Sequence, residues 1–163
     1  MINNRWFCEP NSIREPYCFL ILYKKKKANI QQITGWRIGY GNIEKIIINK
    51  KSKGKDETDI IKKLLKELFY CRKKKILIIT DKEDNFSILR TRIAALNIKE
   101  ANLTNIIHIS LEKWITNYFK YNDDNNLQSW CKFLSIKTDD LETRLIKNIF
   151  QRIAPLIPRG ELL

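Results

Sequence analysis

The sequence is poor in the residue types that build zinc sites and histidine-based catalytic sites. It contains one histidine, and its four cysteines are widely separated, with no C-x-x-C pair. A zinc site would need ligands from four separate elements, so we expect neither a metal nor a cofactor, and free thiols in a reducing compartment. His108 has no Ser or Cys nucleophile frame around it, which favours a satisfied histidine at the core edge over a general base.

Long apolar runs are also missing. No stretch approaches the length that spans a bilayer, and residues 1–10 lack the charged and apolar regions of a secretory signal. We therefore expect a soluble cytoplasmic protein without a membrane partner. A length of 163 residues suits one domain. We assign 1–163 to that domain, with 1–16 as an N-terminal extension and 154–163 as a C-terminal tail.

Acidic residues are scarce in the first half of the chain. The formal net charge is +13. Residues 1–75 hold 19 Lys and Arg against 7 Asp and Glu, whereas residues 76–163 hold 12 against 11. The excess is concentrated in clusters such as 24-KKKK-27 and 72-RKKK-75. Such asymmetry indicates either a basic face that attracts nucleic acid or a solvated, lysine-rich surface.

Apolar periodicity predicts the order β-β-β-α-β-α-β-α-α-α. Strand-like stretches cover 17–23, 30–41, 43–49, 75–80 and 105–109, and helical patterns cover 57–70, 85–96, 111–119, 127–136 and 140–153. A three-stranded antiparallel meander followed by crossovers with parallel strands gives a mixed α/β sheet with helices on both faces. This is the arrangement of the ribonuclease H-like fold.

Two stretches that open helices after short strands are 85-NFSILRTRIAALNI-98 and 108-HISLEKW-114. With the order of elements, they make the chain from about 17 to 141 resemble the 3′-to-5′ exonuclease domain of the ribonuclease H-like superfamily. The resemblance is closest to the proofreading domain of family B DNA polymerases. In that family, four acidic residues hold two divalent metals that cut nucleotides from a 3′ end.

The acidic positions of the family are not acidic in this sequence. Where the family has an Asp-x-Glu pair at the end of its first strand, this chain has Leu22 or Tyr23 followed by lysines. The Asp positions of the next two motifs are Ser87 and Ser110, and no Asp, Tyr or His follows Leu141. Because Mg²⁺ requires carboxylate ligands, the resemblance implies a catalytically inactive, exonuclease-like domain. Ser110 is equally placed to cap a helix.

The lysines that follow the first strand would then supply positive charge near the former metal site. We expect nucleic acid, DNA or RNA, as the partner, bound through basic side chains and through aromatic side chains that stack on bases. The predicted binding residues are Lys24, Lys25, Lys26, Lys27, Arg90, Arg92, Trp36 and Tyr40. The alternative for the lysines is a solvated hairpin tip, and the alternative for the Arg side chains is pairing with acids elsewhere.

Two other functions fit the same residues. One is a docking subunit of a replication, repair or RNA-processing complex, with the apolar segment 153–163 as a surface for a protein partner. The other is an active nuclease with a rebuilt acidic site. Asp81 and Asp84 follow the central strand, where α/β sheets bind ligands, and Asp139 and Asp140 are the further acids that such a site would use. Asp84 is equally a candidate helix cap.

Overall fold

The computed structural model describes residues 17–40, 43–48, 56–99, 101–121 and 123–157, with only the backbone described for 43–48. The predicted N-terminal extension 1–16 and the end of the predicted C-terminal tail, 158–163, lie outside the described residues. Among the described residues, none of the helices is long and apolar enough to cross a membrane.

The described elements follow the order that periodicity predicts. The strands are β1 (Tyr17–Lys27), β2 (Ile30–Tyr40), β3 (Ile43–Ile48), β4 (Leu77–Thr80) and β5 (His108–Ser110). The helices are α1 (Glu57–Lys74), α2 (Asn85–Ala95), α3 (Leu111–Phe119), α4 (Leu127–Phe133) and α5 (Glu142–Ile153), after which Ala154–Leu156 form one 3-10 turn.

The strands form one mixed sheet in the order β3-β2-β1-β4-β5. β1, β2 and β3 are antiparallel neighbours, whereas β4 runs parallel to β1 and β5 runs parallel to β4. The predicted meander with parallel strands added at one edge is therefore confirmed. The α/β crossovers return β4 and β5 to the same edge of the sheet, so their carboxyl ends lie side by side.

Helices cover both faces of the sheet, as predicted. Alternate residues of β1 point to opposite sides because the strand period is two. Tyr17, Phe19 and Ile21 pack with α3, α4 and α5, whereas Cys18, Leu20 and Leu22 pack with α1 and α2. The core therefore has two layers, divided by the sheet.

Local signals explain the bounds of α1. The Asp56 side chain accepts a hydrogen bond from the amide of Asp59, which satisfies one free N–H at the helix start. Arg72, Lys73 and Lys74 occupy the last turn, where the helix dipole favours positive charge. The helix ends at Lys75, which adopts the left-handed conformation with φ 55°.

β1 is longer than the sequence indicates. Its predicted end at Tyr23 is wrong, because pairing with β2 continues through Lys27 opposite Ile30. β4 pairs with β1 only as far as Leu20, so the β1–β2 pair extends past β4. We call residues 24–33 the basic hairpin.

Candidate functional site

A cleft of about 480 Å³ lies at the edge of the sheet where β4 ends and β1 continues past it. Ligand sites of α/β sheets typically lie at this carboxyl edge. The cleft is lined by Ile21, Leu22, Tyr23, Lys24, Asp81, Lys82, Asp84, Glu112, Asn126, Leu127, Gln128 and Glu142. Its polar lining therefore comes from the end of β1, the β4–α2 loop and the first turns of α3, α4 and α5.

Lys24 is fixed at one wall of the cleft by polar contacts from α2. Its Nζ lies 3.0 Å from Oδ1 of Asp84 and 2.7 Å from Oδ1 of Asn85. The fully buried Asn85 amide donates in turn to Oγ1 of Thr80 at 2.5 Å and to Oδ1 of Asp81 at 2.9 Å. Burial nevertheless raises the pKa of Asp81, since desolvation disfavours its charged form.

Lys82 binds the third carboxylate of the cleft, that of Glu112. Its Nζ lies 3.5 Å from Oε1 of Glu112 and also donates to the carbonyl of Asn125. Oε2 of Glu112 accepts a hydrogen bond from the amide of Glu83 at 2.8 Å. The ammonium group lies 5.5 Å from the ring centroid of the buried Trp130, which adds a cation–π contact.

The fourth carboxylate is bound by a tyrosine. The hydroxyl of Tyr23 donates to Oε2 of Glu142 at 2.6 Å, which joins the end of β1 to the first turn of α5. Burial, followed by this hydrogen bond, raises the pKa of Tyr23 well above its ordinary value of 10.0. Tyr23 is therefore a neutral donor at any physiological pH.

A two-metal centre does not fit these residues. Each carboxylate of the cleft already has a donor from the protein: Lys24, Lys82, the Asn85 amide or the Tyr23 hydroxyl. A divalent cation needs several converging oxygen ligands, and here these oxygens are engaged in ion pairs and hydrogen bonds within the protein. Among the residues that the structure describes, no group of three His, Cys, Asp or Glu is arranged to hold a metal.

The four positions at which this chain lacks the acidic residues of the family do not lie together in one site. Leu22 and Tyr23 line the cleft. Ser87 is exposed on α2 and is not part of the described lining, so it is wrong as a remnant site residue. Ser110 caps α3, where its hydroxyl accepts from the amide of Lys113 at 3.3 Å.

The lysine cluster of the basic hairpin divides between two environments. Lys24 faces the cleft with an 18% exposed side chain, whereas Lys25, Lys26 and Lys27 are exposed on the extending strand. β1 turns into β2 at Ala28, which has φ 54°. The three exposed lysines thus follow the cleft residue Lys24 directly along β1 and face solvent.

The two predicted stacking residues are placed elsewhere. Trp36 is only 2% exposed, and its indole N–H donates to the carbonyl of Ile60 in α1 at 3.0 Å. A buried indole cannot stack on a base, so its predicted role is wrong. Tyr40 is half-buried at the end of β2 away from the hairpin, and its hydroxyl donates to Glu67 at 2.9 Å. It takes no part in the cleft.

The two predicted binding arginines also differ. Arg90 is exposed on α2, as a contact to nucleic acid requires. Arg92 is buried and forms a bidentate pair with Glu57, with N–O distances of 2.8 and 2.7 Å. The alternative that an Arg of this helix pairs with an acid elsewhere is confirmed for Arg92, and its predicted binding role is wrong.

The predicted acidic group is only partly assembled. Asp81 and Asp84 line the cleft, but Asp139 and Asp140 are exposed and are not part of its described lining. Asp140 instead lies 3.4 Å from Arg144 in the first turn of α5. The predicted side-chain cap by Asp84 is also wrong, since its carboxylate contacts Lys24 rather than a free amide of α2.

Sequence reasoning missed Lys82, Asn85, Glu112 and Glu142. The two glutamates occupy first helical turns, where acids are common because of the helix dipole. Only the sheet topology brings those turns to one cleft. For Lys82 and Asn85 the available signal was their place in the loop after β4 and at the start of α2, just past the carboxyl end of that strand.

No family model and no curated protein sequence matches the chain. Solved structures that are similar to it include two with 11% sequence identity each. One shows the 3′-end-specific recognition of a histone mRNA stem-loop by a 3′-exonuclease; its TM-score is 0.60, and the match covers 85% of this chain and 63% of that one.

The other is the nuclease domain of 3'hExo, a DEDDh family member, bound to rAMP, with a TM-score of 0.56 and coverage of 84% and 90%. The chain thus spans less than two thirds of the first of these structures and most of the second. At this identity the likeness shows the fold alone. That fold is the ribonuclease H-like fold of DEDDh 3′-exonuclease domains, which confirms the predicted fold class.

Proposed function

We propose that this chain is a catalytically inactive, exonuclease-like domain that binds single-stranded nucleic acid or a 3′ end through its basic hairpin. It acts as an accessory factor in DNA or RNA metabolism. The observation that carries the proposal is the position of two lysines, Lys24 and Lys82, among the carboxylates of the cleft.

Fixed ammonium groups change what this cleft can do. A metal-dependent nuclease uses carboxylates to bring in cations that activate water and stabilise the leaving oxygen. Here the Nζ atoms of Lys24 and Lys82 already neutralise Asp84 and Glu112. Neither ammonium group can activate a water as a metal does, so the arrangement favours binding without hydrolysis.

The exposed hairpin lysines supply the attraction for phosphates. Lys25, Lys26 and Lys27 lie beside the cleft, and among the described residues none of them is recorded in an ion pair. Neutralising phosphates releases condensed counterions, which drives binding at low salt. A strand that enters the cleft would therefore meet positive charge at its edge.

The similar structures support the part of the proposal that concerns nucleic-acid binding. One contains a histone mRNA stem-loop and the other contains rAMP, so domains of this fold accommodate RNA and a nucleotide. The likeness to the proofreading domain of family B polymerases rests only on the two motif frames beginning at Asn85 and His108. We keep that likeness, the single-domain organisation and an intracellular location as parts of the proposal.

A rebuilt nuclease site is the second candidate, because four carboxylates line one cleft: Asp81, Asp84, Glu112 and Glu142. Activity there would require Lys24 and Lys82 to leave their partners when metal binds. Replacing Asp81 by Asn removes one charged ligand from the centre of the group. Metal-dependent cutting that this substitution abolishes would favour the second candidate.

One experiment separates the two functions. A 5′-labelled single strand is incubated with protein in Mg²⁺ or Mn²⁺, and samples are run on native and denaturing gels. We expect a retarded strand of unchanged length with either metal. Shortening of the strand would contradict inactivity, and a strand that is neither bound nor cut would favour the protein-docking function.

A further inference from the structure

The outer face of α1 carries a row of cationic side chains that the cleft does not use. Lys62, Lys63, Lys66, Lys73 and Lys74 are all exposed. At 3.6 residues per turn they fall within about 120° of the helix circumference. We call these five lysines and Tyr70 the α1 strip.

Two of the three acids of α1 are bound by residues outside this strip. Glu57 is bound by Arg92 and by the amide of Ile33, and Glu67 accepts from the hydroxyl of Tyr40. Asp59, the one exposed acid on the helix, lies in the first turn on the same side as the strip, one turn before Lys62 and Lys63. Among the described residues, no ion pair is recorded for the strip lysines, so their charge is available to an anionic partner.

An aromatic ring interrupts the row of lysines. Tyr70 is 48% exposed and lies between Lys66 and Lys73 on the same side of the helix. Its ring meets that of Tyr40 edge-on, with centroids 6.0 Å apart, so it is supported from beneath. Exposed aromatic rings among cations are typical of single-strand binding, because the ring stacks on a base while the lysines contact phosphates.

The helix that carries the strip begins beside the basic hairpin. The amide of Ile33 donates to Glu57 at the start of α1, and Ile33 pairs with Lys24 across the β1–β2 ladder. From Lys62 to Lys74 the helix rises about 18 Å, the axial length of about five nucleotides. A strand held at the hairpin can therefore continue along α1.

We infer that the α1 strip is a second contact surface for single-stranded nucleic acid, continuous with the basic hairpin. This inference rests on the proposed function and extends it from the cleft to the adjacent helix. It implies a dependence on strand length. Short strands are held by the hairpin and cleft, whereas longer strands also engage Lys62, Lys63, Lys66 and Tyr70.

Fluorescence anisotropy with labelled oligothymidines of about 6 and about 24 nucleotides, titrated across a salt series, tests the inference. The test variant replaces Lys62, Lys63 and Lys66 by Gln. A control variant replaces Lys120, Lys132 and Lys137 by Gln and so makes the same change in net charge. These three lysines are exposed on the α3–α4 side.

For the long strand, we expect the test variant to reduce the magnitude of the slope of log K against log salt by about 2, since each phosphate contact contributes about 0.7. The short strand should show little change, and the control variant should resemble the wild type with both. Tyr70→Ala should weaken long-strand binding about fivefold or more, with the slope unchanged.

The outcomes separate failure of this inference from failure of the proposed function. If the test and control variants change the long-strand slope equally, only net charge matters and the inference is overturned while the proposed function stands. If the wild-type protein binds neither strand, both are overturned. If the test variant changes the salt slope equally for short and long strands, the inference is also overturned, because the strip then does not extend the binding site.

Discussion

The ion pair between Arg92 and Glu57 allows a quantitative test of the structure, because the sequence alone suggested that Arg92 binds nucleic acid. Its side chain is 10% exposed and that of Glu57 is 13% exposed. Two parallel hydrogen bonds join them, and Oε1 of Glu57 also accepts from the amide of Ile33 at 2.8 Å. The pair thus fixes α2, α1 and β2 to one another.

Arg92→Met keeps much of the side-chain volume but leaves Glu57 charged, nearly buried and with only the Ile33 amide as a partner. Breaking a buried pair from one side costs about 3–5 kcal/mol, and the residual exposure favours the lower end, about 3 kcal/mol. For a chain of this size that corresponds to a decrease in Tm of about 6–12 °C.

Urea denaturation at neutral pH measures the free energy of unfolding. Arg90→Met is the matched control, since Arg90 is exposed on the same helix and should change stability by less than about 0.5 kcal/mol. Adding Glu57→Gln to Arg92→Met should recover part of the loss. A loss below about 1 kcal/mol for Arg92→Met, together with a weaker salt dependence of binding, would refute the structural role.

Two further predictions concern the core around the sheet. His108 stacks on Phe86 with centroids 3.9 Å apart, and burial, then Arg90, lowers its pKa below the ordinary 6.5. The stability that neutral, buried His108 contributes is therefore complete above pH 6.5 and is lost as the pH falls towards the lowered pKa. His108→Phe should flatten that part of the curve of Tm against pH. A curve unchanged by this substitution would contradict the prediction. Gly39 faces α5, where an added Cβ would lie 3.3 Å from Cβ of Thr143, so Gly39→Ala should cost about 1–2 kcal/mol in urea denaturation unless α5 shifts freely.

Periodicity predicted most of the fold because each element has a local cause. The buried face of α1 recurs at helical spacing, and β4 is a short, wholly buried run. The end of β1 could not be predicted in this way. Lys25 to Lys27 are solvated, and they belong to a strand because the antiparallel ladder to β2 continues through them. Tertiary pairing therefore overrides the polar character of the segment.

The site was less predictable than the fold. Lys24 was predicted, but its contacts with Asp84 and Asn85 require two elements that lie 60 residues apart in sequence. Trp36 was predicted to stack on bases. Its indole instead donates a hydrogen bond to a carbonyl of α1, which no local pattern identifies. Side-chain partners across elements depend on the packing of the sheet and helices, and one sequence does not contain that information directly.

The central claim is that an exonuclease-like fold binds a single strand through the charge of its basic hairpin. The most direct test compares the wild type with a variant in which Lys25, Lys26 and Lys27 are all Gln, using single-stranded DNA and RNA across a salt series without added metal. We predict that the wild type binds tightly. In the variant, the slope of log K against log salt should be shallower by about 2. A wild-type protein that does not bind, or an unchanged slope in the variant, would contradict the central claim.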